Sequence, residues 1–336
     1  MAAAIVTSTA ITSFAIDIES SSNYTHKTII GKDRYETGVL TAKESKRNNL
    51  IIVNGSTEKM VDGLCASVLV DKLGATVLPI NPDKVSQNAK NLINNAEKIY
   101  IIGQEQAIPE SFEKSISEKI EVTRIGGSDR FETSEKIAQY LGDYNKAYIV
   151  NGYTGQADAM SMSSVSARDK TPILLTRKTT SSFEKDENVS YTVIGGTDAI
   201  SGGLQNSFEA DRISGETRYE TNRKVLSKFY PSRDTKYFTS GETLIDALSG
   251  ASLSKWDGIT LVSSKKNLDL LKNTDTVQIG GLSFSISFKE KNENTGGSSG
   301  GSVPGFDDDE IIDGGEENVG VELPDMGWDD TPVGEM

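Results

Sequence analysis

Short, unbroken apolar runs recur along this chain, and each ends in a polar or glycine turn. Between them lie segments whose apolar positions return every three or four residues. Residues 124–211 show the pattern best. Phe131, Ile137, Ala138 and Leu141 share one helical stripe, and Asp129 with Glu132 can cap its start. Residues 147–150 form a continuous apolar run that stops at Asn151-Gly152, as expected of a buried strand and its exit turn. The pattern predicts a helix rich in small residues over about 158–168, then strands at 172–176 and 191–196. The same outline predicts strands at 50–53, 76–78 and 99–102 earlier in the chain, and at 237–239, 259–262 and 276–279 later. Between 263 and 275 only one brief helix fits. Buried strands alternating with helices predict parallel sheets covered on both faces and linked by right-handed crossovers.

The pattern is periodic on a longer scale too. Asp33-Arg34-Tyr35-Glu36-Thr37 recurs as Asp129-Arg130-Phe131-Glu132-Thr133 and Thr217-Arg218-Tyr219-Glu220-Thr221, at intervals of 96 and 88 residues. A second phrase begins at Asn54-Gly55, Asn151-Gly152 and Ser240-Gly241 and leads to Asp62, Asp158 and Asp246 at the same two intervals. A third mark closes each unit at Ile102-Gly103, Ile194-Gly195 and Ile279-Gly280. One module of roughly 90 residues is therefore used three times. The divisions expected are a leader at 1–26, modules at 27–123, 124–211 and 212–290, and a Gly/Ser linker with an acidic tail at 291–336.

Charge changes this picture only at the end of the chain. The net charge is −14, but twelve Asp and Glu with no Lys or Arg lie in residues 305–336, so the modules are close to neutral. That tail is too poor in apolar residues to offset its ordering entropy and is expected to be disordered. Residues 1–22 are rich in Ala, Ser, Thr and Ile, and Ser13-Phe14-Ala15 offers small residues at the positions a signal peptidase reads. A basic n-region is missing, because no Lys or Arg precedes Lys27. The expectation is a secretory leader whose start lies upstream; a disordered leader is the alternative. No later stretch approaches the roughly 18 apolar residues of a membrane span.

Candidate chemistry is sparse. One His (His26) and one Cys (Cys65) cannot make a closed zinc site, and no His-based triad or phosphate loop is present. Cys65 aligns with Ser161 and Ser249, which suits a small residue on a buried helix face better than a nucleophile. Asp62, Asp158 and Asp246 read as first-turn acids that complement a helix dipole. Triplication argues against three catalytic centres, so no catalytic residue, metal or cofactor is assigned. Arg34, Arg130 and Arg218 suit an internal ion pair that pins a module to itself or to its neighbour; anion contact remains open for them. Tyr35, Phe131 and Tyr219 read as packing residues.

The run Arg124-Ile125-Gly126-Gly127-Ser128-Asp129-Arg130-Phe131-Glu132-Thr133, with Thr171-Pro172-Ile173-Leu174-Leu175-Thr176 and Val193-Ile194-Gly195-Gly196, resembles the cell wall binding repeat 2 family over about residues 27–290. The resemblance implies three tandem Rossmann-like or Toprim-like α/β modules packed as a pseudo-threefold body. It implies non-covalent anchoring of a surface protein to a Gram-positive wall through an anionic secondary wall polymer, with surface-layer proteins as further partners. It implies no role for nucleic acid or membrane. In that family an Ile-Leu-Leu motif is implicated in polymer binding; here it is complete only as Ile173-Leu174-Leu175. The corresponding stretches read as Val77-Leu78-Pro79 and Thr260-Leu261-Val262, so equal binding by all three modules is not expected. Arg168, Lys170, Arg177 and Lys178 flank that strand and are added as candidate polymer contacts on charge alone. The competing reading is a wall-modifying, peptidoglycan hydrolase-like enzyme with its site inside the modules, for which Asp158 is the residue to test.

Overall fold

The structure is a computed structural model, described here for residues 15–57 and 60–290. The chain opens with strands β1 (Ala15–Glu19) and β2 (His26–Ile29). The first module runs through α1 (Arg34–Ser45), β3 (Asn49–Asn54), a 3-10 segment at Met60–Val68, α2 (Leu69–Lys72), β4 (Ala75–Ile80), α3 (Gln87–Asn94), β5 (Lys98–Ile102), α4 (Glu110–Ser117) and β6 (Glu121–Ile125). The second has α5 (Arg130–Leu141), β7 (Lys146–Asn151), α6 (Gln156–Asp169), β8 (Ile173–Thr176), β9 (Ser190–Ile194), α7 (Gly202–Ser207) and β10 (Asp211–Ile213). The third has α8 (Arg218–Phe229), β11 (Thr235–Ser240), α9 (Ile245–Ser254), β12 (Ile259–Val262), a 3-10 turn at Leu268–Leu271, β13 (Asp275–Ile279) and β14 (Ser285–Lys289).

Each module builds a four-stranded, all-parallel sheet. The orders are β4-β3-β5-β6, β8-β7-β9-β10 and β12-β11-β13-β2. The fourth strand always comes from the segment that leads into the next module's first helix. Borders at 124 and 212 therefore cut through β6 and β10, which repeat phasing alone assigns to the following module. The third sheet is completed from the other end of the chain, where β2 pairs with β13 in the register Ile279↔Ile29. Near it, β1 and β14 form a separate parallel pair in which Ile18 is buried. A leader ending at 26 is therefore too long: residues 15–26 are built into the folded body, because β1 and β2 close it. The rest of the expected leader, 1–14, and the linker and acidic tail at 291–336 lie outside the described residues.

The three modules share one core. The Met60–Val68 segment, α6 and α9 pack on one another, and their small residues let them approach closely. Ser164 and Ser254 share a hydrogen bond of 2.7 Å there. Leu64, Met160, Met162, Leu248 and Ile279 are fully buried in the same cluster. Around this centre the contacts are cyclic: α5 packs on the Met60–Val68 segment, α8 on α6, and α1 on α9. Each module's first helix thus leans on the central element of the preceding module, which gives the body its pseudo-threefold arrangement. Cys65 is buried in this core, and burial pushes its thiol well above the ordinary range.

Candidate functional site

The repeated phrases meet at the carboxyl ends of the parallel strands. Asp33, Asp129 and Thr217 are N-caps whose side chains accept from the amides of Glu36, Glu132 and Glu220. The buried Thr37, Thr133 and Thr221 accept, through Oγ1, the amides of Gly31, Gly127 and Gly215 at 3.0, 3.0 and 2.9 Å. A Cβ on any of these glycines would strike the helix backbone at 2.3 to 2.7 Å. The phrase is therefore a strand-to-helix corner held by a cap and a threonine.

The arginines tie the first phrase to the second. Nη1 of Arg34, Arg130 and Arg218 donates to the carbonyls of Gly55, Gly152 and Gly241 at 3.1, 2.9 and 2.8 Å. Tyr35, Phe131 and Tyr219 lie on those same glycines, where a Cβ would come within 2.8, 2.8 and 2.3 Å of the ring. No ion pair of these arginines occurs among the described residues, so the expected pairing with a carboxylate is replaced by a carbonyl bond. Their Nε and Nη2 groups make no hydrogen bond among the described residues. The second phrase is further held at Asn54 and Asn151, whose side-chain amides donate to the carbonyls of Ala107 and Ala199 at 2.6 Å.

The third mark completes the site. Gly103, Gly195 and Gly280 have φ of 91, 111 and 78°, and each donates its amide to the last residue of the borrowed strand: Ile125, Ile213 and Ile29. A Cβ here would collide with Asp62, Asp158 and Asp246 respectively. Those carboxyls stand in the first turn of their helical segments, as expected from the sequence, but the dipole is not their whole environment. Desolvation raises all three, Asp158 to about 6 and Asp246 to about 7. The opposing pull comes from Arg130 on Asp62, Arg218 on Asp158 and Arg34 on Asp246. Each aspartate therefore faces the arginine of the next module around the ring. At the first junction the two border a cleft of about 560 Å³, also lined by Gln104, Glu105, Ser128 and Asp129. Among the described residues no group of His, Cys, Asp and Glu is placed to hold a metal ion.

The residues chosen around Ile173-Leu174-Leu175 do not converge. The three apolar side chains are buried in β8, Ile173 and Leu175 facing the shared core and Leu174 a second cluster in the same module. Their side chains are not presented on the surface of this structure. In register, Asn54↔Ile80, Asn151↔Thr176 and Ser240↔Val262 align the three edge strands. The partner of the Ile-Leu-Leu stretch in the third module is thus Ile259-Thr260-Leu261, one residue earlier than the sequence suggests. Arg168 and Lys170 sit at the opposite end of the sheet from Arg177 and Lys178. Arg168 is committed to structure: it pairs with Asp169, donates to the Phe229 carbonyl and stacks on Tyr230. Lys170 is an exposed left-handed helix cap.

Arg177 and Lys178 are exposed just past the end of β8. The Arg177 guanidinium lies 4.3 Å from the Phe131 ring centroid, and that of Arg130 lies 4.9 Å from the ring of Tyr153. Tyr153 is the residue that the sequence reading missed. It is 51% exposed and meets Phe131 edge to face at 5.4 Å. The available signal was an aromatic directly after Asn151-Gly152, where the other modules have Ser56 and Glu242.

Comparison with known proteins agrees with the threefold organisation. Residues 28–113, 124–205 and 212–289 each match the family described as cell wall binding domain 2. Over 266 residues the chain is 32% identical to N-acetylmuramoyl-L-alanine amidase LytC of Bacillus subtilis (strain 168), covering 76% of this chain and 51% of the amidase. It is 31% identical over 253 residues to the amidase enhancer of the same strain, covering 72% of this chain and 34% of the enhancer. Among solved structures, Cwp6 from Clostridium difficile matches with a TM-score of 0.68 and 27% identity, covering 80% of this chain and 49% of Cwp6. Cwp8 from the same organism matches with a TM-score of 0.66 and 27% identity, covering 76% and 49%. The chain spans about half or less of the length of each of these relatives.

Proposed function

The chain belongs to the cell wall binding domain 2 family, and we propose that its three modules hold a surface protein non-covalently on a Gram-positive wall by binding an anionic secondary wall polymer. The observation that carries this reading is the triplicated arginine at the module junctions. Arg34, Arg130 and Arg218 are each pinned through one nitrogen to a glycine carbonyl, which leaves the remaining donors of the fork free for an anion. A polymer carries anionic groups at regular intervals, and a body with three modest sites gains from effective concentration. The near-neutral modules favour such local contacts over attraction by net charge. Among the described residues no helix is long and apolar enough to cross a membrane.

Sedimentation of the full chain with Bacillus subtilis walls, before and after chemical removal of their phosphodiester-linked polymers, tests the reading. Binding is expected to the untreated walls, to weaken as salt screens the anions, and to disappear from the stripped walls. Equal binding to stripped walls would sink it.

A second reading, hydrolysis of the wall within the modules, has one observation in its favour. Asp158 is a carboxyl raised to about 6, facing Arg218, and one relative is an amidase. Release of peptidoglycan fragments by the full chain, abolished in a folded Asp158→Asn variant, would replace binding with catalysis.

A further inference from the structure

The three modules repeat the arginine corner, but they do not repeat what stands beside it. Next to Arg130 the second module presents a stack of four groups: Arg177 on Phe131, Phe131 edge-on to Tyr153, and Tyr153 under Arg130. Phe131 is buried, so it holds the others rather than binding anything itself. Tyr153 is half exposed although Arg130 lies over its ring, and Arg177 is exposed with no side-chain hydrogen bond or ion pair among the described residues. Stacking on Phe131 restrains Arg177 while leaving its N–H groups free.

Strand register locates the equivalent positions. The residue after Asn151-Gly152 is Tyr153, where the first module has Ser56 and the third has Glu242. The residue after the edge strand is Arg177, where the others have Asn81 and Ser263. Positive charge alone does not single out the second module, because Lys265 and Lys266 follow the third module's edge strand. The combination of a half-exposed ring and a restrained guanidinium does. An aromatic face suits the apolar face of a sugar ring, and a free guanidinium fork suits a phosphate oxygen pair.

We propose that Tyr153 and Arg177, with Arg130, form a phosphosugar subsite unique to the second module. Tyr153 stacks on a pyranose ring, and the two arginines take the phosphate attached to it. This rests on the anchoring reading above and narrows it: the second module is the main reader of the polymer. The other two modules then add contacts through Arg34 and Arg218.

The probe is N-acetylglucosamine 1-phosphate, titrated into isotopically labelled full chain and followed by NMR, with N-acetylglucosamine and inorganic phosphate as separate arms. Shifts are expected at the Tyr153 ring and the Arg177 Nε–H, larger for the sugar phosphate than for either part alone. Tyr153→Ala and Arg177→Ala should each weaken the sugar phosphate about fivefold, the upper end of one exposed cation–π contact. Tyr153→Phe keeps the ring and should stay within about twofold. Asn81→Ala and Ser263→Ala, at the matching positions, should change nothing. Inorganic phosphate matching the sugar phosphate, or Tyr153→Ala binding as well as wild type, would overturn the subsite. Wall sedimentation of the same variants separates the two ideas. If wild type binds untreated walls and Tyr153→Ala binds equally, the subsite fails and anchoring stands. If wild type ignores the walls yet shows the sugar phosphate shifts, anchoring fails and the subsite stands.

Discussion

Neutralising Asp246 should make the folded chain more stable, and increasingly so as pH rises. Its side chain is 4% exposed, lies against Gly280, and leaves Oδ1 with no hydrogen-bond partner among the described residues. Desolvation lifts it from 3.8 to about 7, against the pull of Arg34. The folded chain therefore keeps this proton up to about pH 7, whereas the unfolded chain releases it near 3.8. Between those values the folded state binds more protons, so stability falls as pH rises, and the loss is complete above about 7. At about 1.36 kcal/mol per pH unit the full loss is about 4 kcal/mol. Asp246→Asn keeps the shape and removes the charge. Urea unfolding of the full chain should show the variant's advantage growing by about 2–3 kcal/mol between pH 5 and pH 8, then levelling off. Arg34→Ala, by removing the opposing charge, should move the window to higher pH. An advantage that is the same at pH 5 and pH 8 would refute a buried, proton-holding carboxyl.

Other perturbations test the corners that position the site. Gly152→Ala places a methyl 2.8 Å from Phe131 and 3.3 Å from Arg130, and should lower thermal stability by about 1–3 kcal/mol in calorimetry; Gly196→Ala, with nothing within 4 Å, should be close to silent. Thr133→Val leaves the Gly127 amide without its buried acceptor and should cost about 1–3 kcal/mol in denaturant unfolding, while Thr133→Ser recovers most of it. Leu174→Ala should cost about 2–5 kcal/mol as a core cavity. Its wall binding, measured where the variant is fully folded, should equal that of wild type. A specific loss of binding there would restore the Ile-Leu-Leu side chains as polymer contacts.

The edge strands show which features could be read in advance. At one register position they carry Pro79, Leu175 and Leu261, and the helix packed over each supplies Gly38, Ser134 and Asn222. The amides of Leu175 and Leu261 donate to Ser134 Oγ and Asn222 Oδ1 at 3.0 and 2.9 Å. Pro79 has no amide to satisfy, and its ring occupies the space left by Gly38, where a Cβ would lie 2.6 Å from Cδ. Each strand and each helix was visible as a pattern. Their partnership was not, because it joins residues about forty positions apart through a single contact. Tyr153 was hidden in the same way, because its meaning depends on Arg130 and Phe131, 23 and 22 positions earlier in another element. Proximity along the chain also led to the grouping of Arg168 with Arg177, which flank one strand but stand at its opposite ends.

Hydrophobic periodicity and the threefold phrases determined by themselves that this chain is a set of three parallel α/β modules, because burial on two faces and local capping act over a few residues. The spacing also located the threonines and arginines of each corner and the glycines of the second and third phrases, since their roles recur with the module. The three-dimensional structure decided what crosses between modules. It moved the fourth strand of each sheet to the preceding module and closed the third sheet with β2 from the start of the chain. It turned three first-turn aspartates toward the arginines of their neighbours, which sets their desolvation and charge environment together. Sequence periodicity carries the local rule, and only the closing of the ring brings these distant side chains within reach of one another.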